Sequence, residues 1–587
     1  MLFFAGVTAI LCVFGLGLLW PHRAPLPLGA MIWGYFVKAL YLSWIWFLIS
    51  FHSDLGDGAR LIALTLFAFA AFRLVRGDLP GVTAPDAQSR FKHLRHLIMA
   101  IAFIAITSPA IVSFGTIFHA WDAVASWNRW AIELSGNKYA PMNAAYPILW
   151  PAIWSLIYEA QNSSAYWYVT KATAAVPLFA LALIVVDQIN RAQILSGILL
   201  AVLVALCISS QRYFVVSGYM DMPLAMMGLA ALLLIITAAE ETSADRRSEL
   251  FMFAVLTSAM AMVTKQPGIL FAGVVGLCAL YETLKKRMPV SRLLVYGAIV
   301  FFPLVSFLLI YLGVQDDPFG NFGQLTNVAD KARGEAGKFA FAVSMFNTSM
   351  PGTIWPVLLP GIILNAIFFR SYRGAIGLIS LAAGIVTFVL FVNYFAYNLR
   401  NGYLILSFAT ASAFVGYSSA EAWATSRLPI SLPFAAGEKL LSSRAPLAAA
   451  LTVILVFLSM LSIEWPEERL ARVDPEVRYR SLGTPSVNSF LRANAKTIEK
   501  APAFVSSYQM AGYLPLASGK FFLCHQTDAA CIERLSTRHK GKEVALLSVG
   551  FRENPQTLAL LEDAVTSGKA TIVAQRDGLT LYTFKVE

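Results

Sequence analysis

The sequence predicts an α-helical, polytopic membrane protein of about fourteen spans with a small α/β soluble domain at its C-terminal end. Three observations carry that expectation. Hydrophobic residues make up 58% of the chain, charged residues only 13%, and the mean hydropathy is +0.64, far more apolar surface than a soluble core can hide. The apolar residues fall in runs close to the ~20 residues a helix needs to cross the hydrocarbon core. After residue 463 the composition changes, with charges frequent and no run long enough to span.

The runs lie near 1–20, 29–51, 60–76, 97–117, 166–187, 193–209, 222–239, 250–264, 268–284, 293–313, 353–369, 375–396, 402–424 and 446–463. The first begins at Met1 with no basic n-region and no small-residue cleavage site, and reads as a retained span rather than a removable signal. Aromatics reach 13%, with 13 Trp and 21 Tyr, as expected where many helix ends need amphipathic rings at headgroup level. Cys12, Cys207 and Cys278 fall in apolar runs and read as buried small hydrophobes. No internal repeat is visible.

The net charge of +11 is scattered through short connections rather than gathered into a stripe, which argues for topology and against a nucleic-acid partner. One alternate set of loops carries Arg23, then Arg76 to Arg95, Arg191, Arg246 and Arg247, Lys285 to Arg292, Arg370 and Arg373, and finally Arg427, Lys439 and Arg444. Those loops are expected to be cytoplasmic. The other set holds Asp54 and Asp57, the segment 119–165, the turns around Arg212, Lys265 and Arg400, the loop 315–352 and everything after 462. These are expected to face outward.

Segment 147–159 is apolar over only about thirteen residues, and counting it as a span would put Lys285 to Arg287 outside. It therefore reads as an interfacial or re-entrant helix. Just before it, in an ideal helix, Asp122, Ser126, Arg129 and Glu133 share one face while Ala123, Trp127, Ala131 and Leu134 share another, the pattern of a helix lying in the interface. In the tail, 543–549, 570–574 and 579–586 read as strands, with Asp577-Gly578 as a hairpin turn and 554–565 as a helix opened by Pro555. If the tail is outside, Cys524 and Cys531 lie in an oxidising compartment and are expected to form a local disulfide. The domains are thus 1–96, N-terminal helices; 97–463, a helical core with the outer loop 119–165; and 464–587, the extracytoplasmic domain.

Chemistry is sought where the charges break the topological rule. Arg212, Lys265 and Arg400 occupy short outer turns, where cations are scarce, and each sits in a polar cluster. The clusters are Gln211-Arg212-Tyr213 ahead of Gly218-Tyr219-Met220-Asp221-Met222-Pro223, then Thr264-Lys265-Gln266-Pro267-Gly268, and Tyr397-Asn398-Leu399-Arg400-Asn401. Three such exceptions suggest a bound anion; the plain alternative is that each cation snorkels to headgroup phosphates. Two outer acids stand beside them. Asp122 follows a span within His119-Ala120-Trp121-Asp122-Ala123, and Asp221 precedes one; either could instead cap a helix. The Trp residues around Asp122 fit an interfacial belt or a sugar platform.

The order and sidedness of these motifs, from about Leu97 to Met460, resemble the GT-C superfamily of multi-spanning glycosyltransferases that use polyprenyl-phosphate sugars, such as the protein mannosyltransferase and lipid A aminoarabinose transferase families. The resemblance implies that Asp122 is a general base or binds a metal, that Lys265 and Arg400 hold the lipid phosphate, and that Asp221 is a second catalytic acid, with Arg212 as a further phosphate ligand. Trp121, Arg129 and Tyr219 are the expected substrate contacts. Many members carry an adjacent acidic pair in the first loop; here the nearest acid to Asp122 is Glu133, which leaves a divalent cation (Mg or Mn) open. The implied partners are the bilayer, a polyprenyl-phosphate-linked sugar and a glycan, lipid or protein acceptor, at the bacterial inner membrane. The chemistry suits those residue types, since attack on an anomeric carbon needs a base for the acceptor's proton and cations for the departing phosphate. The rivals are an oligosaccharide ligase or polymerase with the same donor, and a transporter, for which Lys38 is the one strong mid-span charge.

Overall fold

The computed structural model describes residues 15–52 except 23, 65–66, 68–69, 92–112, 122–136, 146–161, 167–191, 194–210, 215, 217–285, 287–314, 337–349, 352–395, 399–427, 485–508, 521–523, 535–550 and 555–586. They belong to two compact units, one drawn from 1–114, 145–153 and 172–463, the other from 115–144, 154–171 and 464–587.

The first unit is helical. Among the described residues eight helices are long and apolar enough to cross a membrane: Leu28–Phe51, Thr170–Asn190, Asp221–Glu240, Ala244–Thr264, Gln266–Leu284, Val290–Gly313, Arg373–Tyr394 and Tyr403–Ser426. Arg95–Ile111, Ile194–Ser210 and Gly352–Ile367 are apolar but shorter. Among the described residues, eleven of the fourteen expected runs thus appear as helices, eight of them full-length. The runs 1–20, 60–76 and 446–463 lie largely or wholly outside the described residues, and three others fall short of a full span.

The helices differ in how much lipid they can face. Asp221–Glu240 is buried along its whole apolar length, whereas Val290–Gly313 exposes Leu294, Phe301, Leu309 and Leu312. A hydrophobic helix surrounded by others is the centre of the bundle, and one left bare is its rim. Because lipid tails are as apolar as leucine, close backbone approach and interhelical hydrogen bonds hold the bundle together. A Cβ on Gly416 would lie 1.9 Å from the Gly361 carbonyl oxygen, so only glycine lets these two helices touch. Around that contact Asn365 Nδ2 donates to Ser412 Oγ at 2.9 Å; elsewhere Trp33 Nε1 donates to Thr257 Oγ1 at 2.8 Å and Gln188 Nε2 to Thr237 Oγ1 at 2.8 Å.

Basic residues gather where alternate loops were expected to be cytoplasmic. Arg287 Nη2 donates to the Ala239 carbonyl at 3.1 Å, Arg246 pairs with Glu241 at 3.0 Å, Arg373 pairs with Glu240, and Arg95 Nη1 donates to the Asn190 carbonyl at 2.9 Å. Glu421 accepts from the backbone N–H groups of Leu195 and Ser196, satisfying donors that a helix start leaves orphaned. Lys38 is likewise fully engaged: its ammonium donates to Glu249 Oε1 at 2.9 Å, lies 3.1 Å from His22 Nδ1, and sits 4.9 Å from the Phe253 ring centre. A buried cation so paired ties the Leu28–His52 helix to its neighbour and is not an open ion path.

In the second unit the tail builds a five-stranded sheet, β1 Phe504–Ser506, β2 Phe521–Leu523, β3 Glu543–Val549, β4 Ala570–Arg576 and β5 Leu579–Lys585, in the order β2-β1-β3-β5-β4. β1 runs parallel to β2 and β3, while β5 is antiparallel to both β3 and β4. The three expected strands, the Asp577-Gly578 turn, with φ of 51° and 75°, and the helix Pro555–Thr566 are all present. Ala503, Val505, Leu535, Val544 and Val586 form the core on the sheet. β1 and β2 were not anticipated. Cys524 and Cys531 lie outside the described residues, as does Cys12; Cys207 and Cys278 are free thiols.

Candidate anion site

The motif Gly218-Tyr219-Met220-Asp221-Met222-Pro223 turns the chain into the central helix. Gly218 has φ of 91°, a conformation that disfavours any side chain, and it delivers Tyr219 and Asp221 to the helix start. Met220 holds the cap position, so Asp221 is the first helical residue rather than the cap. Its negative charge still favours the positive end of the helix dipole.

Lys265 is set by a second turn. The Ala244–Thr264 helix stops as Lys265 goes extended, with φ of −160° and ψ of 149°, and Gln266–Gly268 folds back as a 3-10 turn held by Gly268 N–H donating to the Lys265 carbonyl at 2.9 Å. A Cβ on Gly268 would lie 2.1 Å from the Ala261 carbonyl oxygen, so the glycine of the Thr-Lys-x-x-Gly pattern is a steric requirement of this reversal. Arg400 is carried by the 3-10 turn Leu399–Gly402 that enters the Tyr403–Arg427 helix.

These three turns converge. Lys265 Nζ donates to Asp221 Oδ1 at 2.5 Å, Arg400 Nε lies 3.9 Å from Asp221 Oδ2, and the Arg400 guanidinium stacks 4.1 Å from the centre of the Tyr219 ring. Asp221 is 6% exposed and Lys265 8%, so the pair is protected from solvent screening. An apolar cleft is lined by Met222, the residue after Asp221, by Tyr403, three residues after Arg400, and by Leu181, Val204, Met226 and Leu406. Tyr403 was not anticipated; its signal was its place one helical turn after Arg400.

Of the expected residues the structure thus brings Asp221, Lys265, Arg400 and Tyr219 together. Arg212 and Trp121 lie outside the described residues. Asp122 and Arg129 belong to the other unit. There Asp122 is helical and makes no capping hydrogen bond, which removes the capping alternative for it. A π turn over Ala123–Asn128 widens the helix before Arg129–Ser135, so the alignment drawn from ideal geometry holds in the α-helical part, where Arg129 Nε donates to Glu133 Oε1 at 3.1 Å. Both of those side chains are buried, as are Trp127, Trp130 and Leu134. The charged face of the helix expected to lie in the interface thus carries an internal ion pair.

The Leu149–Gln161 helix is thirteen residues long and buried on every side from Leu149 to Tyr158. Tyr158 Oη donates to Asn128 Oδ1 at 2.6 Å, and burial holds its phenol above the usual tyrosine range, so it stays a neutral donor. That bond pins the end of the π turn.

Metal binding does not fit at Asp221, whose two oxygens already face two cations. Among the described residues no group of three or more His, Cys, Asp or Glu side chains comes together. No protein-family model matches the chain, and no curated protein does. In chain path it is similar to ArnT. The crystal structure of ArnT from Cupriavidus metallidurans in the apo state aligns with a TM-score of 0.48, and that of the same protein bound to undecaprenyl phosphate with 0.45; in both the identity is 14%, over 82% of this chain and 97% of the other.

Proposed function

We propose that the protein is a glycosyltransferase that moves a sugar from a polyprenyl-phosphate donor to an acceptor at the outer face of the bacterial inner membrane, inverting the anomeric centre. The observation that carries this reading is the convergence of Lys265 and Arg400 on one buried point beside an apolar cleft. Isolated snorkelling cations would each seek headgroups separately, whereas two held together beside an apolar groove suit an anion with a lipid tail.

The residues take the following parts. Lys265 and Arg400 hold the donor phosphate and stabilise the charge that grows on it as the bond to the sugar breaks. Asp122, from its place in the sequence, is the base that accepts the acceptor hydroxyl's proton. The lipid tail stays within the bilayer, entering along the cleft. The gathering of the basic loops at the opposite helix ends supports the outer placement of this site.

The test is sugar transfer from a polyprenyl-phosphate donor by purified protein in liposomes. Lys265→Ala and Arg400→Ala should each weaken donor use by about 2 kcal/mol, roughly 30-fold. Full activity in the double variant would leave both as headgroup contacts.

A further inference from the structure

Both cations of the site are already faced by a carboxylate, and a role for Asp221 as a second catalytic acid does not use that fact. A base in this position would have to release two cations before accepting a proton. Its charge has a different consequence. Lys265, Arg400 and Asp221 sum to +1 in a buried pocket, with Asp221 Oδ1 at 2.5 Å from one cation and Oδ2 at 3.9 Å from the other. Any phosphate gripped by the same two cations is held within a few ångströms of that carboxylate.

The ligand's charge changes during the reaction. The donor is a phosphodiester with one negative charge. On transfer the sugar C1–O bond breaks and its electron pair stays on the phosphate oxygen, the acceptor oxygen bonds to C1, and the acceptor's proton passes to the base. The lipid product is a phosphomonoester with a charge near −2 at neutral pH. Repulsion scales with the product of the charges, so Asp221 opposes the spent lipid about twice as strongly as the donor.

We propose that Asp221 is a product-release residue: its carboxylate, wedged between Lys265 and Arg400, sets the pocket's preference between the phosphodiester donor and the phosphomonoester product, and keeps the spent lipid from occupying the site. This rests on the donor-phosphate reading above. It differs from a purely structural counter-ion role, which would leave that preference unchanged.

The experiment measures dissociation constants of farnesyl phosphate and its methyl phosphodiester on the full chain in detergent, for the wild type, Asp221→Asn, Asp221→Ser and Asp221→Glu. Both neutral variants should shift the monoester-to-diester preference toward the monoester by about tenfold or more, the effect of one unit charge acting over a few ångströms in a partly buried site. Asp221→Glu should keep the wild-type ratio. In turnover, the neutral variants should slow after the first cycles and be inhibited by added farnesyl phosphate. An unchanged ratio in both neutral variants overturns the proposal. So does failure of both to fold while Asp221→Glu folds and binds normally, which makes Asp221 a structural counter-ion. Binding of neither probe by the wild type is a separate outcome, which removes the donor-phosphate reading itself.

Discussion

Replacing Lys265 by Met keeps the side chain's length and apolar stem while removing its charge, and so isolates the ion pair with Asp221. The ammonium and carboxylate are 2.5 Å apart, with side chains 10% and 6% exposed. Breaking a buried pair from one side leaves an uncompensated charge and costs about 3–5 kcal/mol. Arg400, 3.9 Å away, still faces Asp221 and takes up part of that charge, which places the expected loss near the lower end, about 3 kcal/mol. Adding Asp221→Asn removes the orphaned charge. The double variant should therefore recover stability, with a coupling energy of about 1.5–3 kcal/mol. The assay is reversible unfolding in mixed micelles for the four corners of the cycle. Coupling within about 0.5 kcal/mol of zero would refute the claim that the two side chains act as a buried pair.

Three further outcomes are expected. Asp122→Asn keeps size and much of the hydrogen bonding but accepts no proton, so it should insert normally and lower kcat by ~100-fold or more; near-wild-type transfer in liposomes would remove Asp122 from the mechanism. Tyr158→Phe leaves the buried Asn128 acceptor without its 2.6 Å donor and should cost about 1–3 kcal/mol of stability, checked by thermal unfolding, where an unchanged midpoint would show that the bond is not holding the π turn. Single cysteines introduced at positions 162, 347 and 540 should be labelled by an impermeant thiol reagent from the outer side, and one at 286 should not; labelling of 286 from outside would overturn the topology.

The parts of the site legible in the sequence were those with a local cause. Gly218 and Gly268 mark reversals that only glycine can make, and Lys265 and Arg400 stood out because cations are scarce in outer turns. Their convergence on Asp221 is a long-range fact, for which residue order carries no signal. The same holds for Glu249, the partner that makes Lys38 a structural tie. The helix after Asp122 misled for another reason: Arg129 and Glu133 share a face as projected, but packing buries them as an ion pair, and the segment's own pattern carries no signal for that burial. In the tail, β3, β4 and β5 are seven residues each and were found, while the three-residue β1 and β2 are too short to show a period.

The most direct test of the account is a structure of the protein with a polyprenyl phosphate bound. The phosphate oxygens should lie at charge-assisted hydrogen-bond distance, about 2.7–2.9 Å, from both Lys265 Nζ and the Arg400 guanidinium, with the tail entering between Met222 and Tyr403. A phosphate seated elsewhere, with Lys265 and Arg400 still closed on Asp221 alone, would contradict it.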